Sequence, residues 1–258
     1  MKKLSATSIV KSLATLALVT SAGASFAAST WSFNGCSTNC TGTNSGGTVS
    51  VTAFSVGSTA GATYAAATVN QFGGGLGVAY TGELTTDPEH AVDNNGRTEA
   101  LLLNFGTKSV DLDFVQIGYK SGDADISLFR YTGVAPVTPG AAPAVTGLNI
   151  SGLAVAGWTL VGNYADLAVN TDKNVNTNNT ASSWWLVSAY NSNFGTSTAD
   201  GGATTGGGTV GNGNDYFKFI SVTGNSTTSR VPEPGSLALL SLGLVGLVAS
   251  RRRKQTSI

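Results

Sequence analysis

The stretch that decides the fold is residues 100–131, ALLLNFGTKSVDLDFVQIGYKSGDADISLFRY. Runs rich in β-branched and aromatic residues, separated by Gly, Asn, Asp or Ser, are typical of antiparallel strands. In the middle run the apolar residues alternate up to Phe114 and resume in the opposite phase at Val115, which predicts a β-bulge. The stretch therefore predicts three consecutive strands, Ala100–Phe105, Val110–Tyr119 and Ala124–Tyr131.

Strand candidates continue on both sides of this stretch. The composition, rich in Gly, Thr, Ser, Asn and Val and poor in Lys, Glu and Met, favours strands and turns over helices. Two antiparallel sheets packed face to face bury strands of this kind. The prediction is an all-β body over residues 28–230, an antiparallel β-sandwich of jelly-roll-like form. Its further strands are Thr48–Val56, Thr63–Gln71, Leu76–Tyr80, Gly157–Gly162, Ser183–Tyr190 and Asp215–Val222.

Residues 231–258 differ in character from the body. They begin with Val231-Pro-Glu-Pro-Gly235, continue with an apolar run up to Ala249 and then carry the basic group Arg251-Arg-Arg-Lys254. The apolar run is short for a bilayer span, but flanking small residues and snorkelling arginines lengthen it. We expect a single membrane helix with its basic end in the cytoplasm. The alternative is a buried core helix.

This segment resembles the PEP-CTERM sorting signal of Gram-negative bacteria. The resemblance implies that exosortase, an integral-membrane cysteine enzyme, recognises the signal and cleaves near the Pro-Glu-Pro motif. The helix would then be a transient inner-membrane anchor, and the body would pass to the cell surface or the extracellular matrix. The residues that carry the resemblance are Pro232, Glu233, Pro234, Gly235, Arg251, Arg252 and Arg253.

Residues 1–27 have the order of a secretory signal peptide. Three lysines, at positions 2, 3 and 11, precede the apolar run Leu13–Val19, and small residues follow up to Ala27. We expect cleavage after Ala27, with Ala28 as the alternative. The body is therefore expected to be exported through the inner membrane.

The net charge of the body differs from that of the whole chain. The chain has 14 cations and 14 carboxylates, but seven of the cations and one carboxylate lie in residues 1–27 and 231–258. Residues 28–230 therefore carry seven cations and thirteen carboxylates, a net charge of −6. A surface of this sign repels phosphate backbones, so nucleic acid is not an expected partner.

The central part of the body resembles a family of exosortase-dependent surface proteins. The likeness rests on the block Pro88–Arg97 and on segments such as Ser183–Val187 and Asp215–Lys218. It implies no established activity and no functional residues.

A polar group lies at the start of the central strands. The oxygen atoms of these side chains are suited to Ca²⁺ or to hydrogen bonds with a sugar. The alternative is a polar turn in which the side chains bond to their own backbone. Apart from Ca²⁺, we expect no cofactor. The candidate ligands are Asp93, Asn94, Asn95 and Glu99.

Cys36 and Cys40 are the two cysteines of the chain. Both lie near the start of an exported body, where an oxidising compartment favours a disulfide between them. Zinc would need two further ligands, which the sequence does not group nearby.

Trp184 and Trp185 occupy adjacent positions of one predicted strand, so their side chains point to opposite faces. If one face is wet, the outward ring offers a platform for a sugar. The alternative is that the rings belong to the core.

The carboxylates of the central strands do not predict catalysis. Two pairs of acids lie two residues apart, Asp111 with Asp113 and Asp123 with Asp125. Each pair projects from one face of a strand, and we interpret both as solvated strand edges that resist aggregation. Such spacing does not establish the facing geometry of a glycosidase. With one histidine and no Gly-x-Ser-x-Gly motif, the chain lacks the parts of a catalytic triad.

We therefore expect a non-enzymatic, exosortase-processed protein of the cell surface or of a biofilm matrix rich in exopolysaccharide. The alternatives are a carbohydrate-binding module that ties the cell to its exopolysaccharide, and a secreted hydrolase with two facing carboxylates in a cleft.

Overall fold

The computed structural model describes residues 27–83, 88–195, 209–211 and 213–227. The sorting signal at 231–258, and all but the last residue of the signal peptide, lie outside these ranges. Within the described ranges, no helix is long and apolar enough to cross a membrane.

Almost all regular structure in the described residues is β, and the all-β prediction is confirmed. Each of the nine predicted strands is present with its bounds shifted by a few residues. The elements are β1 (Ser29–Ser32), β2 (Asn39–Gly42), β3 (Gly47–Gly57), β4 (Ala65–Phe72), β5 (Gly75–Ala79), β6 (Val92–Asp93), β7 (Arg97–Asn104), β8 (Ser109–Lys120), β9 (Ile126–Tyr131), α1 (Gly152–Val155), β10 (Trp158–Tyr164), β11 (Lys173–Asn174), β12 (Ala181–Ser182), β13 (Trp184–Ala189), a 3₁₀ turn (Ser192–Phe194) and β14 (Tyr216–Thr227).

The strands pair antiparallel in one continuous curled sheet, in the order β10-β9-β13-β7-β3-β4-β5-β14-β8-β11. In addition, β1 and β6 pair with β14, β12 pairs with β8, and β2 pairs with β3. The start of β4 pairs with β3 and the rest of it with β5, so β4 joins two halves. The β7 half contains β2, β3, β7, β9, β10 and β13. The β14 half contains β1, β5, β6, β8, β11, β12 and β14.

The inner faces of the two halves meet in the main core. It contains Leu101 and Leu103 of β7, Ile117 of β8 and Phe219 of β14, all fully buried. The predicted sandwich is therefore built from two halves of a single sheet.

A second core covers the outer face of the β7 half. There Leu102 and Leu186 pack with Trp158 of β10 and with Val145 and Leu153 from the segment between β9 and β10. Strand β13 is buried along its whole length as a result. Sheets that are covered on both faces bury continuous apolar strands in this way.

Strand β8 carries the predicted bulge. Leu112 and Val115 are buried, whereas Asp113 and Phe114 between them are half-buried. In the ladder to β14, Thr223 is opposite Phe114 and the next residue is opposite Leu112, so Asp113 is the extra residue.

Asn176 fixes the long connection between β10 and β13. Its buried side chain donates hydrogen bonds to Asp111 Oδ1 at 2.6 Å and to the carbonyl of Thr180 at 2.9 Å. Its backbone N–H donates to the Tyr164 hydroxyl at 2.9 Å. Its φ of 52° lies in the left-handed region, which asparagine tolerates better than most residues.

Candidate functional site

Three carboxylates from different elements meet at one end of the sheet. Asp93 ends β6, Glu99 lies in β7, and Glu83 follows β5 in a turn where its backbone N–H donates to the carbonyl of Tyr80 at 3.2 Å. One carboxylate oxygen from each lies within 4.8 Å of the other two. We call Glu83, Asp93 and Glu99 the Glu99 cluster.

Each carboxylate of the Glu99 cluster has one oxygen held by the backbone. Glu83 Oε2 accepts from the N–H of Tyr80 at 3.0 Å, Asp93 Oδ1 from that of Asn95 at 2.9 Å, and Glu99 Oε2 from that of Asp93 at 3.3 Å. The second oxygen of each is buried and accepts no hydrogen bond from any residue that the structure describes. The backbone thus fixes three side chains that each keep one oxygen available.

Burial dominates the electrostatics of the Glu99 cluster. Burial first, and the neighbouring carboxylates after it, raise the pKa of Glu83 to about 7, that of Asp93 to about 8 and that of Glu99 to about 10. The guanidinium of Arg97 lowers the pKa of Glu83 and of Glu99. Arg97 itself donates to Ser55 Oγ at 3.0 Å and to the Ser55 carbonyl at 3.1 Å, and lies over the ring of Tyr80.

The structure brings together only part of the predicted ligand loop. Asp93 and Glu99 converge, but Asn94 donates to Asp215 Oδ2 at 2.6 Å and to the carbonyl of Tyr190 at 2.9 Å. Asn95 donates to Glu89 Oε1 at 3.1 Å. Of the four predicted ligands, Asp93 and Glu99 converge. The Oδ1 atom of Asn94 accepts from the N–H of Asp215 at 2.8 Å, and that of Asn95 accepts from Asn214 Nδ2 at 3.2 Å. Glu83 was missed, since the return from β5 to β6 brings it in from outside the loop.

A second group of acids, Asp123, Asp125 and Asp215, is called here the Asp215 cluster. Asp215 Oδ1 accepts from the N–H of Asp125 at 2.6 Å, and its Oδ2 accepts from Asn94. Asp125 Oδ1 accepts from the N–H of Asp166 at 2.9 Å, and its Oδ2 from that of Gly211 at 2.8 Å. Burial raises the pKa of Asp215 to about 8. The prediction that Asp125 lies on a solvated strand edge is wrong, because it is fully buried and ties loops together.

An open cleft of about 700 Å³ lies beside the Asp215 cluster. Its lining is polar and comes from the loop after β3, the turn before α1 and the 3₁₀ turn. Asparagine is the most frequent residue type in the wall, which contains Asn94, Asn149, Asn191, Asn193 and Asn214.

The two tryptophans belong to the two cores. Trp185 is fully buried in the main core, and Trp184, 8% exposed, lies in the second core. Their side chains point to opposite faces as predicted, but neither face is wet, because the segment between β9 and β10 covers the outer one. The predicted sugar platform is therefore wrong.

Cys36 and Cys40 form the expected disulfide, with their Cα atoms 5.8 Å apart. Cys40 is buried against the main core, and Cys36 packs beside it. The bond closes the turn that connects β1 to β2.

A comparison with protein families matches residues 230–254 to the PEP-CTERM protein-sorting motif. The match includes the Pro-Glu-Pro residues and the three arginines singled out in the sequence. No curated protein and no solved structure matches the chain. The motif indicates export, a transient membrane anchor and exosortase-dependent sorting to the cell surface. By this motif, the chain is a PEP-CTERM sorting-signal protein.

Proposed function

We propose that the body is a non-catalytic structural protein of the cell surface or of the biofilm matrix, delivered there through its sorting signal. The observation that carries the proposal is the PEP-CTERM motif at residues 230–254 behind a disulfide-bonded β body. In this proposal exosortase removes the anchor and the body then resides among exopolysaccharide.

The chemistry of the body supports a structural role. The carboxylate oxygens of Asp125 and Asp215 accept hydrogen bonds from the surrounding loops, so these acids hold the fold together. The disulfide suits an oxidising compartment outside the cytoplasm. Both observations agree with a protein whose role is to persist outside the cell.

The test is the intact mass of the protein recovered from native cells, together with its C-terminal peptide. We expect the wild-type protein to end near the Pro-Glu-Pro motif, and the protein from a strain without exosortase to end at Ile258. Glu233→Ala should block processing, whereas Ser229→Ala, just outside the matched motif, should not. Recovery of the wild-type surface protein with its C-terminus at Ile258 would contradict the proposal.

The polar cleft favours a second candidate function, the binding of exopolysaccharide. Amide and hydroxyl groups grouped in an open cleft match the hydrogen-bonding groups of a sugar chain. Asn193 is exposed on the wall, so Asn193→Ala should weaken retention of the purified protein on the host's exopolysaccharide. Thr171→Ala, on an exposed loop outside the cleft, is the control. Equal retention of both variants and the wild type would exclude the cleft as the binding site.

A further inference from the structure

We propose that the Glu99 cluster is a calcium site, with Glu83, Asp93 and Glu99 as its protein ligands. The inference is independent of where the protein is delivered, because it concerns a site inside the folded body.

The geometry fits one coordination sphere. Ca²⁺ binds oxygen ligands at about 2.3–2.6 Å, so ligands on opposite sides of the ion are about 4.6–5.2 Å apart. The three carboxylates offer oxygen atoms that lie within 4.8 Å of one another. A single ion can therefore contact all three carboxylates without rearrangement of the backbone.

The unpartnered oxygens are the second and independent observation. Glu99 is fully buried and Asp93 is 1% exposed, and each has a carboxylate oxygen with no hydrogen-bond partner among the described residues. Buried polar atoms without partners are rare in folded proteins, because removal from water is costly. A cation supplies the missing partner to both oxygens, and to the third on Glu83.

The charge of the site also matches a divalent ion. Three ionised carboxylates carry −3, and the carboxylate of Glu89, which also acts on Glu83 and Asp93, adds to this negative charge. The guanidinium of Arg97 contributes +1, so the site keeps a net negative charge that one Ca²⁺ offsets. Arg97 is held in place by Ser55 and the ring of Tyr80, so its charge is a fixed part of the site.

The ligand chemistry selects calcium among common metals. An all-carboxylate oxygen set is unlike the nitrogen and sulfur sets of structural zinc sites. Mg²⁺ usually retains several water molecules and demands near-octahedral geometry, whereas Ca²⁺ accepts irregular carboxylate sites. Glu83 is half-buried, so the proposed site is close enough to solvent for water ligands to complete the sphere.

The Asp215 cluster does not offer the same site. Both oxygens of Asp125 and both oxygens of Asp215 already accept hydrogen bonds from protein groups. This contrast makes the Asp215 cluster an internal control for the Glu99 cluster.

The test uses the full chain, purified in detergent, freed of metal with EDTA and titrated with Ca²⁺ alone. A single site is expected to saturate by about 10 mM, above the range of typical extracellular calcium modules. Saturation should raise the Tm of the body by about 5–10 °C. Tb³⁺, excited through the nearby Tyr80, should luminesce at the site and be displaced by Ca²⁺.

The variants decide which residues bind. Glu83→Gln and Glu99→Gln should each weaken Ca²⁺ binding by at least about tenfold, because each removes a charged ligand. If Glu99→Gln does not fold, the half-buried Glu83→Gln alone decides. Asp172→Asn removes one exposed carboxylate outside the cluster and should bind as the wild type does.

Two results would overturn the proposal. The first is a wild-type chain with no response to Ca²⁺, which would mean that the three carboxyl groups share protons instead of an ion. The second is a response that persists in Glu83→Gln but is lost in Asp123→Asn, which would assign the ion to the Asp215 cluster.

Discussion

Replacing Trp185 by Phe should destabilise the body more than the same replacement at Trp184. Both side chains are buried, and both variants lose the same ring atoms. The Nε1–H of Trp185 donates to the carbonyls of Val110 and Ser182, each at 3.1 Å. The Nε1 of Trp184 is buried and has no hydrogen-bond partner in the described part of the chain. Trp185→Phe therefore loses hydrogen bonds, whereas Trp184→Phe removes a donor that has no acceptor.

The difference in unfolding free energy follows from these contacts. Removal of buried ring atoms costs about 1–3 kcal/mol in either variant. At Trp185 the shared hydrogen bonds add about 1–3 kcal/mol to that loss. At Trp184, removal of the unpartnered N–H offsets the cost of the lost ring atoms by about 1–3 kcal/mol. Trp185→Phe should therefore be less stable than Trp184→Phe by at least about 2 kcal/mol.

The assay is urea unfolding of the full chain in detergent, followed by far-UV circular dichroism because either substitution alters tryptophan fluorescence. A difference of 2 kcal/mol separates the two midpoints by about 1 M urea at a slope of about 2 kcal/mol/M. Equal midpoints, or a lower midpoint for Trp184→Phe, would refute the reasoning from hydrogen bonds.

Three further predictions concern the disulfide, the buried acids and the Asn176 loop. Replacing Cys36 and Cys40 together by Ser should lower the unfolding free energy by about 2 kcal/mol, as expected for so short a loop, and added reductant should then have no effect on the urea midpoint. In calcium-free buffer the unfolding free energy should fall as pH rises from about 4 to about 8. The reason is that Asp215 has its pKa raised to about 8 in the folded protein, whereas the unfolded chain releases the same proton near pH 4. In Asp215→Asn the loss of unfolding free energy over this pH range should be smaller by roughly 2–4 kcal/mol, as measured by urea titrations. A loss as large as that of the wild type would contradict the raised pKa of Asp215. Asn176→Ala should cost about 2–4 kcal/mol in the same assay through its lost buried hydrogen bonds, whereas Asn170→Ala, exposed and with a similar φ of 55°, should cost less than about 1 kcal/mol.

The longer strands could be predicted because each has apolar residues in strand period between turn residues. The strands β1 and β2 could not, since each is four residues long and largely polar. β1 forms by pairing with β14 and burying Trp31 in the main core. Such long-range pairing leaves no local pattern in the sequence.

The sequence indicated only part of the proposed calcium site. Asp93 and Glu99 are close along the chain, and local reasoning placed them together. Glu83 joins them because the chain returns from β5 to β6, where the N–H of Val78 donates to the carbonyl of Ala91 at 3.1 Å. Spacing along the chain gives no indication of this return.

The burial of Trp184 was also beyond local reasoning. The segment that covers it, between β9 and β10, is rich in Pro, Ala and Gly and has no strand or helix period apart from the single turn of α1. Between its buried side chains, Val145 and Leu153, only Leu148 and Ile150 are large and apolar, and both are partly buried against the second core. A covering segment of this kind is recognised only from the packing.

The pairing of β14 sets the order of events during export. β14 lies between β5 and β8 and also pairs with β1 and β6, so the last of the described strands contacts the first of them. A chain that is translocated N-terminus first cannot close its sheet until residue 227 has left the secretion channel. For a body translocated in this way, folding is therefore a late step on the far side of the membrane. Until it occurs, the partly exported chain exposes the edges of β5 and β8 to chaperones and proteases.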